Sequence, residues 1–266
     1  MNKDFILKTP IAHRGGFFDN KKVFENSLSA FKIARDKGYG IELDVQLLKD
    51  GGAAVFHHPT LDMERLLNRK GEDLRNFTTE ELKICKFIGT DESVPTLKQV
   101  VELINGKVPM LIEIKAYTYK TLQKQCKAVC DVLKDYKGDF VIQSFDPRVL
   151  KWFRKIAPDM TLCVLVSPWP KSDIYRPKTA VIRYIQRNMW FVKSVKPDFI
   201  AYHADFLPCK LVNRKYPNLP ILGWVIRSEQ QFEKVASYLN NIIFQDFTPD
   251  PKVQMGAKTN RPTKQP

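Results

Sequence analysis

Short runs of Val, Ile, Leu and Phe recur along the chain, between longer segments whose apolar residues follow a helical period. Strands that alternate with helices in this way are typical of an α/β fold with a parallel sheet. Eight of these runs predict strands, at residues 10–14, 41–48, 110–115, 140–145, 161–166, 199–203, 221–226 and 242–246. Helices are predicted at residues 26–37, 96–105, 118–135, 147–156 and 229–239.

Eight strands with intervening helices predict a closed (β/α)8 TIM-type barrel, and an open doubly wound sheet is the competing architecture. A further apolar run, residues 53–58, follows Asp50-Gly51-Gly52, and this turn predicts a hairpin partner for the second strand. Residues 59–95 are too long and too charged for a plain connection, so we interpret them as an insertion. We expect residues 1–250 to form a single catalytic barrel domain.

The composition indicates a globular protein, because 44% of the 266 residues are hydrophobic. The net charge of +14 comes from 43 Lys and Arg against 29 Asp and Glu, and it favours anionic partners such as phosphate esters, nucleic acid or acidic lipids. No nucleic acid partner is expected, since the basic residues are dispersed and no nucleic-acid-binding motif is found. Residues 251–266 are basic, contain no acid and predict a mobile tail.

The compartment can be predicted from segments that the sequence lacks. No run approaches the roughly 18 to 20 apolar residues of a membrane span, and residues 1–5 lead into a short strand rather than a signal peptide. The five cysteines form no CxxC pair, so neither a disulfide framework nor a structural zinc site is indicated. We expect a cytoplasmic protein.

The first predicted strand ends in His13-Arg14-Gly15-Gly16. A histidine and an arginine at a strand tip, followed by glycines that let the backbone bend towards a ligand, suit a phosphate with a proton donor beside it. Taken alone this signal is weak, because such residues at a strand end more often lie on the surface or in packing contacts.

Carboxylates on two neighbouring strands indicate a metal site. Glu42 and Asp44 lie two residues apart and therefore share one face of the second strand, where a metal site and a half-exposed polar face are equally good interpretations. Glu113 and Lys115 on the third strand decide between them, because three acids from adjacent strands make an oxygen-only site for Mg²⁺ or Ca²⁺. Zn²⁺ is disfavoured, since no histidine or cysteine belongs to this set.

Histidine is scarce, with only four in the chain: His13, His57, His58 and His203. The predicted hairpin brings His57 and His58 to the same end of the sheet as His13. This convergence favours an acid/base pair over scattered core histidines.

The sequence resembles the glycerophosphodiester phosphodiesterase family from about residue 11 to residue 246. The matching motifs occur in the family's order: His13-Arg14-Gly15, Glu25-Asn26-Ser27, Glu42-Leu43-Asp44-Val45, Asp50-Gly51, His57, Pro59-Thr60-Leu61, Val94-Pro95-Thr96-Leu97, Glu113-Ile114-Lys115, Gln143-Ser144-Phe145 and Trp224-Val225. The N-terminal motifs follow one another closely enough to be specific for this family.

This resemblance implies a (β/α)8 barrel with a small insertion, and metal-dependent hydrolysis of a glycerophosphodiester to an alcohol and glycerol 3-phosphate. It further implies that the substrate's own glycerol hydroxyl attacks and that water then opens a cyclic phosphate. Carried over by position, the resemblance implies that Glu42, Asp44 and Glu113 bind the metal and that His13 and His57 are the acid/base pair. It implies substrate or phosphate binding for Arg14, Lys115, Glu25 and Trp224.

Three positions depart from the family pattern or have a simpler role. His58 stands where the family usually has Asp, so we expect the His57 imidazole to be held by a different group. The eighth strand is followed by Asp246-Phe247-Thr248-Pro249, which shifts the acid upstream. For Asn26 we expect a structural role, as the cap of the helix that begins there.

Residues 167–197 are rich in aromatic and basic side chains, including Trp169, Lys171, Tyr184, Trp190 and Lys193. One interpretation is a lid that selects the substrate's head group or makes weak contact with an anionic lipid surface. A solvated helix with one packed aromatic side is an equally good interpretation.

Two other functions compete with hydrolysis of soluble glycerophosphodiesters. One is a phosphodiesterase for lysophospholipids or sphingolipids on the same scaffold, and the other is an inactive phosphate-binding barrel. Retention of every predicted ligand argues against the inactive barrel.

Overall fold

The computed structural model describes residues 4–16, 23–115, 118–168, 180–181, 184 and 188–253. The strands of this part are β1 (Ile11–Ala12), β2 (Gly40–Leu47), β3 (Ala53–Val55), β4 (Met110–Ile114), β5 (Phe140–Ser144), β6 (Leu162–Val166), β7 (Phe199–His203), β8 (Ile221–Ile226) and β9 (Asn241–Phe244). The helices are α1 (Leu28–Asp36), α2 (Leu61–Leu67), α3 (Leu97–Ile104), α4 (Tyr119–Leu133), α5 (Pro147–Ile156), α6 (Val192–Val195), α7 (Lys210–Lys215) and α8 (Glu229–Val235).

Eight strands form a closed parallel barrel. The pairing runs from β1 through β9, β8, β7, β6, β5 and β4 to β2, and β1 also pairs with β2. This closure confirms the predicted (β/α)8 barrel and excludes the open sheet. The hairpin prediction is confirmed as well, because β3 pairs antiparallel with β2 and stays outside the cylinder.

Successive side chains along each strand point alternately into the barrel and outward to the surrounding helices. Side chains such as Leu43 and Ile112 pack outward against the helices, whereas Leu111, Val141 and Leu222 meet inside the barrel. A 3₁₀ helix, Asp4–Leu7, adds Ile6 to this interior cluster. The apolar interior at the N-terminal ends of the strands supports a polar layer at their C-terminal ends, where barrel enzymes carry their active sites.

The first strand is shorter than predicted. His13–Gly15 form a 3₁₀ turn instead of continuing β1, and Arg14 has a left-handed φ of 52°. At Gly15, with φ of 96°, an added Cβ would lie 2.5 Å from the Cβ of Ala30 in α1. The close approach of turn and helix therefore requires glycine.

The first helix also begins later than predicted. Ser27 is its N-cap, and the Ser27 Oγ accepts a hydrogen bond from the Ala30 backbone N–H at 3.1 Å. The expected capping role of Asn26 is therefore wrong, because Asn26 has a φ of 58° and its side chain points to the barrel interior.

Residues 59–95 share an apolar cluster with the β2–β3 hairpin. Phe56, Met63, Leu66 and Phe87 are among its buried members, and they fix α2 beside the β2–β3 hairpin. As a result, polar side chains on the other face of α2 have defined positions near the barrel mouth.

Some predictions fall on residues outside the described ranges. These include most of the basic, aromatic segment, at 169–179, 182–183 and 185–187, and residues 254–266 of the tail. Among the described helices, none combines the length and the apolar character that crossing a bilayer requires.

Candidate active site

Three buried carboxylates meet at the C-terminal end of the barrel. Asp44 and Glu113 are register partners on β2 and β4, and Glu42 lies one inward-facing position before Asp44. Glu42 is 2% exposed, Asp44 1% and Glu113 6%. Each of the three offers a carboxylate oxygen within 4.8 Å of an oxygen of the other two. The parity of the strands thus brings together the predicted metal ligands.

Cations and amides surround the carboxylates. Lys115 Nζ lies 3.0 Å from Asp44 Oδ1 and 2.7 Å from Glu113 Oε1. Asn26 Nδ2 donates to Asp44 Oδ2 at 2.9 Å, and Gln143 Nε2 donates to Glu42 Oε1 at 3.0 Å. These contacts fix the carboxylates with several oxygens turned towards one another.

The charges within the cluster are unbalanced. Burial, Asp44 and Glu113 raise the pKa of Glu42 well above its usual value, and burial raises the pKa of Glu113 to about 7 although Lys115 acts in the opposite direction. Burial would also raise the pKa of Asp44, but Lys115 and Arg14 hold it well below its usual range. A divalent cation among these oxygens would favour the ionised form of all three carboxylates.

Arg14 joins the carboxylates to the edge of the site. Its backbone N–H donates to Glu42 Oε2 at 3.1 Å, and its Nε lies 3.0 Å from Asp44 Oδ2. Its Nη1 donates to Glu25 Oε1 at 2.7 Å. The left-handed turn therefore aims both the backbone and the guanidinium of Arg14 into the site.

His13 is held at one side of the cluster. Its Nδ1 donates to Gln245 Oε1 at 2.7 Å, and its Nε2 lies 3.9 Å from Glu42 Oε2. Burial and then the charge of Arg14 lower the pKa of His13 well below its usual value, so its imidazole is neutral at pH 7. With the Nδ1 proton engaged by Gln245, the lone pair is on Nε2.

His57 is held in a similar way by an acid from α2. Its Nδ1 lies 3.3 Å from Asp62 Oδ2, which also accepts the His58 backbone N–H at 2.8 Å. Burial and then Lys115 lower the pKa of His57. This support for the His57 ring comes from Asp62, five residues further along the chain.

His58 points towards the start of α2. Its Nδ1 accepts the Leu61 backbone N–H at 3.1 Å, so the ring lies against the N-terminal turn of that helix. His58 also lines the cavity described below.

A cavity of about 380 Å³ lies beside these groups. Its lining includes the charged or polar residues His13, Arg14, Glu42, Glu113 and Lys115, and the less polar residues Phe145, Leu165 and Trp224 together with His203. The Trp224 ring packs edge-to-face on Phe145 and His203 at centroid distances of 5.4 and 4.8 Å. The cavity can hold a small molecule with one charged end and one less polar end.

All nine predicted site residues lie at this end of the barrel. Eight of them line the cavity or contact the carboxylate cluster directly, and Glu25 lies behind Arg14. Asp62, Gln143, Gln245 and His203 were not predicted as site residues. Gln143, His203 and Gln245 could have been found from their inward positions at or just after strand ends, whereas the approach of Asp62 to His57 depends on the packing of α2, which no strand pattern encodes.

Fold and site together define a (β/α)8 barrel enzyme with an acidic, histidine-containing cavity at the C-terminal ends of its strands. The model of the glycerophosphoryl diester phosphodiesterase family matches residues 13–249. The chain belongs to this family, and its activity is that of a phosphoric diester hydrolase acting on glycerophosphodiesters. This confirms the resemblance and the enzyme class expected from the sequence.

Individual relatives agree with the family match. A glycerophosphodiester phosphodiesterase from Caldanaerobacter subterraneus is 39% identical over 178 residues, covering 60% of this chain and 69% of the relative. One from Bacillus altitudinis is 30% identical over 257 residues, covering 92% and 96% of the two chains. The solved structure of an Oleispira antarctica phosphodiesterase, in complex with the product sn-glycerol-3-phosphate, has the same fold, with a TM-score of 0.71, 21% identity and coverage of 91% and 93%.

Proposed function

We propose that the chain hydrolyses glycerophosphodiesters with a divalent cation, Mg²⁺ or Ca²⁺, held by Glu42, Asp44 and Glu113, and with His13 and His57 as the acid/base pair. One observation carries the proposal: three buried carboxylates offer oxygens within 4.8 Å of one another beside two imidazoles whose Nδ1 atoms are each held by an acceptor.

The donor set supports a hard cation. Carboxylate oxygens are the ligands that Mg²⁺ and Ca²⁺ prefer, and no thiolate or imidazole belongs to the cluster. When bound, the ion neutralises charge on a phosphate oxygen and makes the phosphorus more open to attack. The raised pKa values of Glu42 and Glu113 support the same conclusion, since both carboxylates need compensating charge to ionise.

Arg14 and Lys115 supply the remaining positive charge for the phosphate. Both side chains line the cavity, and both already contact carboxylates of the cluster, which holds them at its edge. Donors fixed in advance stabilise the charge that develops on phosphate oxygens without reorganising during the reaction. Glu25 keeps the Arg14 guanidinium in place through its 2.7 Å contact.

The histidines move protons at Nε2. A neutral histidine accepts the proton of the attacking glycerol hydroxyl at Nε2 as that oxygen bonds to phosphorus, and the other histidine, protonated on both nitrogens, gives its Nε2 proton to the leaving alcohol as the bond between phosphorus and the alcohol breaks. Water then opens the resulting cyclic phosphate with the proton transfers reversed, which leaves glycerol 3-phosphate. Each transfer contributes about 10² to 10⁴-fold in rate. Gln245 and Asp62 fix the tautomers, because each accepts from Nδ1.

Trp224 forms the less polar wall of the substrate site. Its ring is fixed by Phe145 and His203 and lines the cavity. We assign it to the part of the substrate that does not react. The small cavity supports a small-molecule glycerophosphodiester as the partner, and the Oleispira phosphodiesterase bound to sn-glycerol-3-phosphate supports that choice.

The experiment is release of glycerol 3-phosphate from glycerophosphocholine and glycerophosphoethanolamine, by wild type, His13→Ala and His57→Ala. We expect both variants to lose activity by about 10² to 10⁴-fold, because each removes one proton transfer. Chelator should abolish wild-type activity, and adding back Mg²⁺ or Ca²⁺ should restore it. Activity that survives removal of all bound metal, checked by elemental analysis, would contradict the cation; wild-type rates in either variant would contradict the acid/base pair.

A second substrate assigns the two histidine roles. Glycerol 3-(4-nitrophenyl phosphate) has a leaving group that needs no protonation, so the variant lacking the acid should recover most of its activity, whereas the variant lacking the base should not. Lysophospholipid micelles form a third arm. A preference for them over soluble diesters would favour the lipid-type phosphodiesterase.

The cytoplasmic location and the weak contact with an anionic lipid surface stay predictions. A single catalytic domain over residues 1–250, with residues 59–95 as an insertion into the barrel, is likewise our proposal.

A further inference from the structure

The insertion helix α2 presents two charged residues towards the barrel mouth. Asp62 and Arg65 lie three residues apart and therefore on one face of the helix, while Met63, Leu66 and Leu67 pack into the apolar cluster of the insertion. The apolar residues anchor the helix, so the polar pair has a fixed position.

Arg65 lies between two carboxylates that belong to different parts of the site. Its Nε and Nη2 donate to Asp62 Oδ1 at 3.0 and 2.8 Å, and its Nη2 also lies 2.9 Å from Glu25 Oε2. The second oxygen of Asp62 holds His57, and the second oxygen of Glu25 holds Arg14. The Arg65 guanidinium therefore contacts both the carboxylate that holds His57 and the carboxylate that holds Arg14.

The two carboxylates need this cation. Asp62 and Glu25 are 5% and 12% exposed, and they present oxygens within 4.8 Å of each other and of His57. Without Arg65 their charges would repel, and each would turn towards solvent or another cation. Because Asp62 and Glu25 each also hold a residue of the site, such movement would displace His57 and Arg14.

Arg65 itself is exposed over 52% of its side chain. Ion pairs this exposed contribute little to the free energy of unfolding, so its loss should be tolerated by the fold. The consequence of removing Arg65 is therefore expected in catalysis rather than in stability.

We propose that Arg65 is a positioning residue that fixes His57 through Asp62 and fixes Arg14 through Glu25. The His57 imidazole, which carries a proton, and the Arg14 guanidinium, which binds the phosphate, then keep a constant position relative to each other. This inference rests on the roles of His57 and Arg14 in the proposed function. The planar guanidinium suits this role, because its Nε–H and Nη2–H both meet Asp62 Oδ1 while Nη2 also reaches Glu25, whereas lysine has a single nitrogen and no fixed donor plane.

The test compares Arg65→Met and Arg65→Lys with Arg69→Met in the full chain. Arg69 is a matched control, since it forms an i,i+3 ion pair with Glu72 in the same insertion and contacts no site residue named here. We expect Arg65→Met to lower kcat for glycerophosphocholine by about 10 to 100-fold, because small displacements of reacting groups are costly. Arg65→Lys should recover only part of this loss, and Arg69→Met should retain wild-type kcat.

Chemical rescue distinguishes positioning from a general loss of structure. Guanidinium at millimolar concentration should restore part of the kcat of Arg65→Met and leave that of Arg69→Met unchanged, while the melting temperatures of both variants stay close to that of wild type. Full activity in Arg65→Met, or equal losses in Arg65→Met and Arg69→Met, would overturn the inference.

His57→Ala in the same assay separates this inference from the proposed function. If His57→Ala is inactive and Arg65→Met behaves as wild type, the positioning role alone is wrong. If His57→Ala retains wild-type activity, the proposed function is wrong and the positioning role falls with it.

Discussion

Asp62 shows how one carboxylate can serve both the fold and the site. One of its oxygens holds His57 and the backbone of His58, and the other holds Arg65. Burial alone would raise its pKa, but the contacts with His57 and Arg65 outweigh it and lower the pKa from 3.8 to about 2. The ionised form is therefore favoured in the folded protein.

This shift predicts a dependence of stability on pH. A carboxylate whose pKa is lowered on folding stabilises the fold above its unfolded pKa, and that stabilisation is lost as the pH falls through its folded pKa. We expect Asp62→Asn to lower the free energy of unfolding by about 2 kcal/mol near neutral pH, and the gap to wild type to narrow as the pH falls from about 4 to about 2. Urea unfolding midpoints across this range provide the measurement.

Asp131→Asn is the control for this prediction, because Asp131 pairs with Lys127 on the exposed surface of α4. It should show no measurable change in midpoint. A gap between Asp62→Asn and wild type that stays constant from neutral to acid pH would show that the loss has another cause.

At the scale of elements, the turn between β1 and α1 carries two residues of the site. His13 and Arg14 reach the cavity only because the chain leaves β1 early and turns left-handed, with Gly15 against Ala30 of α1. The fold of this turn and the geometry of the site are therefore inseparable.

Two glycine variants test the turn. Gly15→Ala should destabilise the protein strongly and lower kcat, since the new Cβ would lie 2.5 Å from Ala30 Cβ and push the turn away. Gly38→Ala shares the positive φ, at 79°, but meets no atom within 4 Å. Its cost should be about 1 to 2 kcal/mol of backbone strain, with kcat unchanged. Thermal unfolding and the diester assay on both variants decide whether close approach matters, and equal behaviour of the two would contradict this.

The sequence predicts most elements for a physical reason that is local. Apolar runs mark buried strands, and parity along β2 and β4 is sufficient to bring Glu42, Asp44 and Glu113 to one face. The end of β1, the role of Asn26 and the support of His57 by Asp62 could not be predicted in the same way. These features depend on left-handed backbone and on packing of the insertion, which involve residues distant in the chain.

At the scale of the whole molecule, barrel closure creates the site. Charged groups come from β2, β4 and the turn after β1, and aromatic side chains come from β7, β8 and the residue after β5. An open sheet would spread these residues along an edge. The closed form brings the acidic and the aromatic side chains around one cavity of about 380 Å³.

The most direct test of the central claim is calorimetric titration of Mg²⁺ or Ca²⁺ into chelator-treated protein. We expect one ion to bind to wild type and this binding to be lost in Asp44→Asn and Glu113→Gln. Glu102→Gln should bind the ion as wild type does, because Glu102 is an exposed acid on α3 that pairs with Lys98. Circular dichroism confirms folding of each variant. If wild type binds no ion, or if the folded Asp44→Asn and Glu113→Gln variants bind the ion as tightly as wild type does, a cation held by the three carboxylates is contradicted.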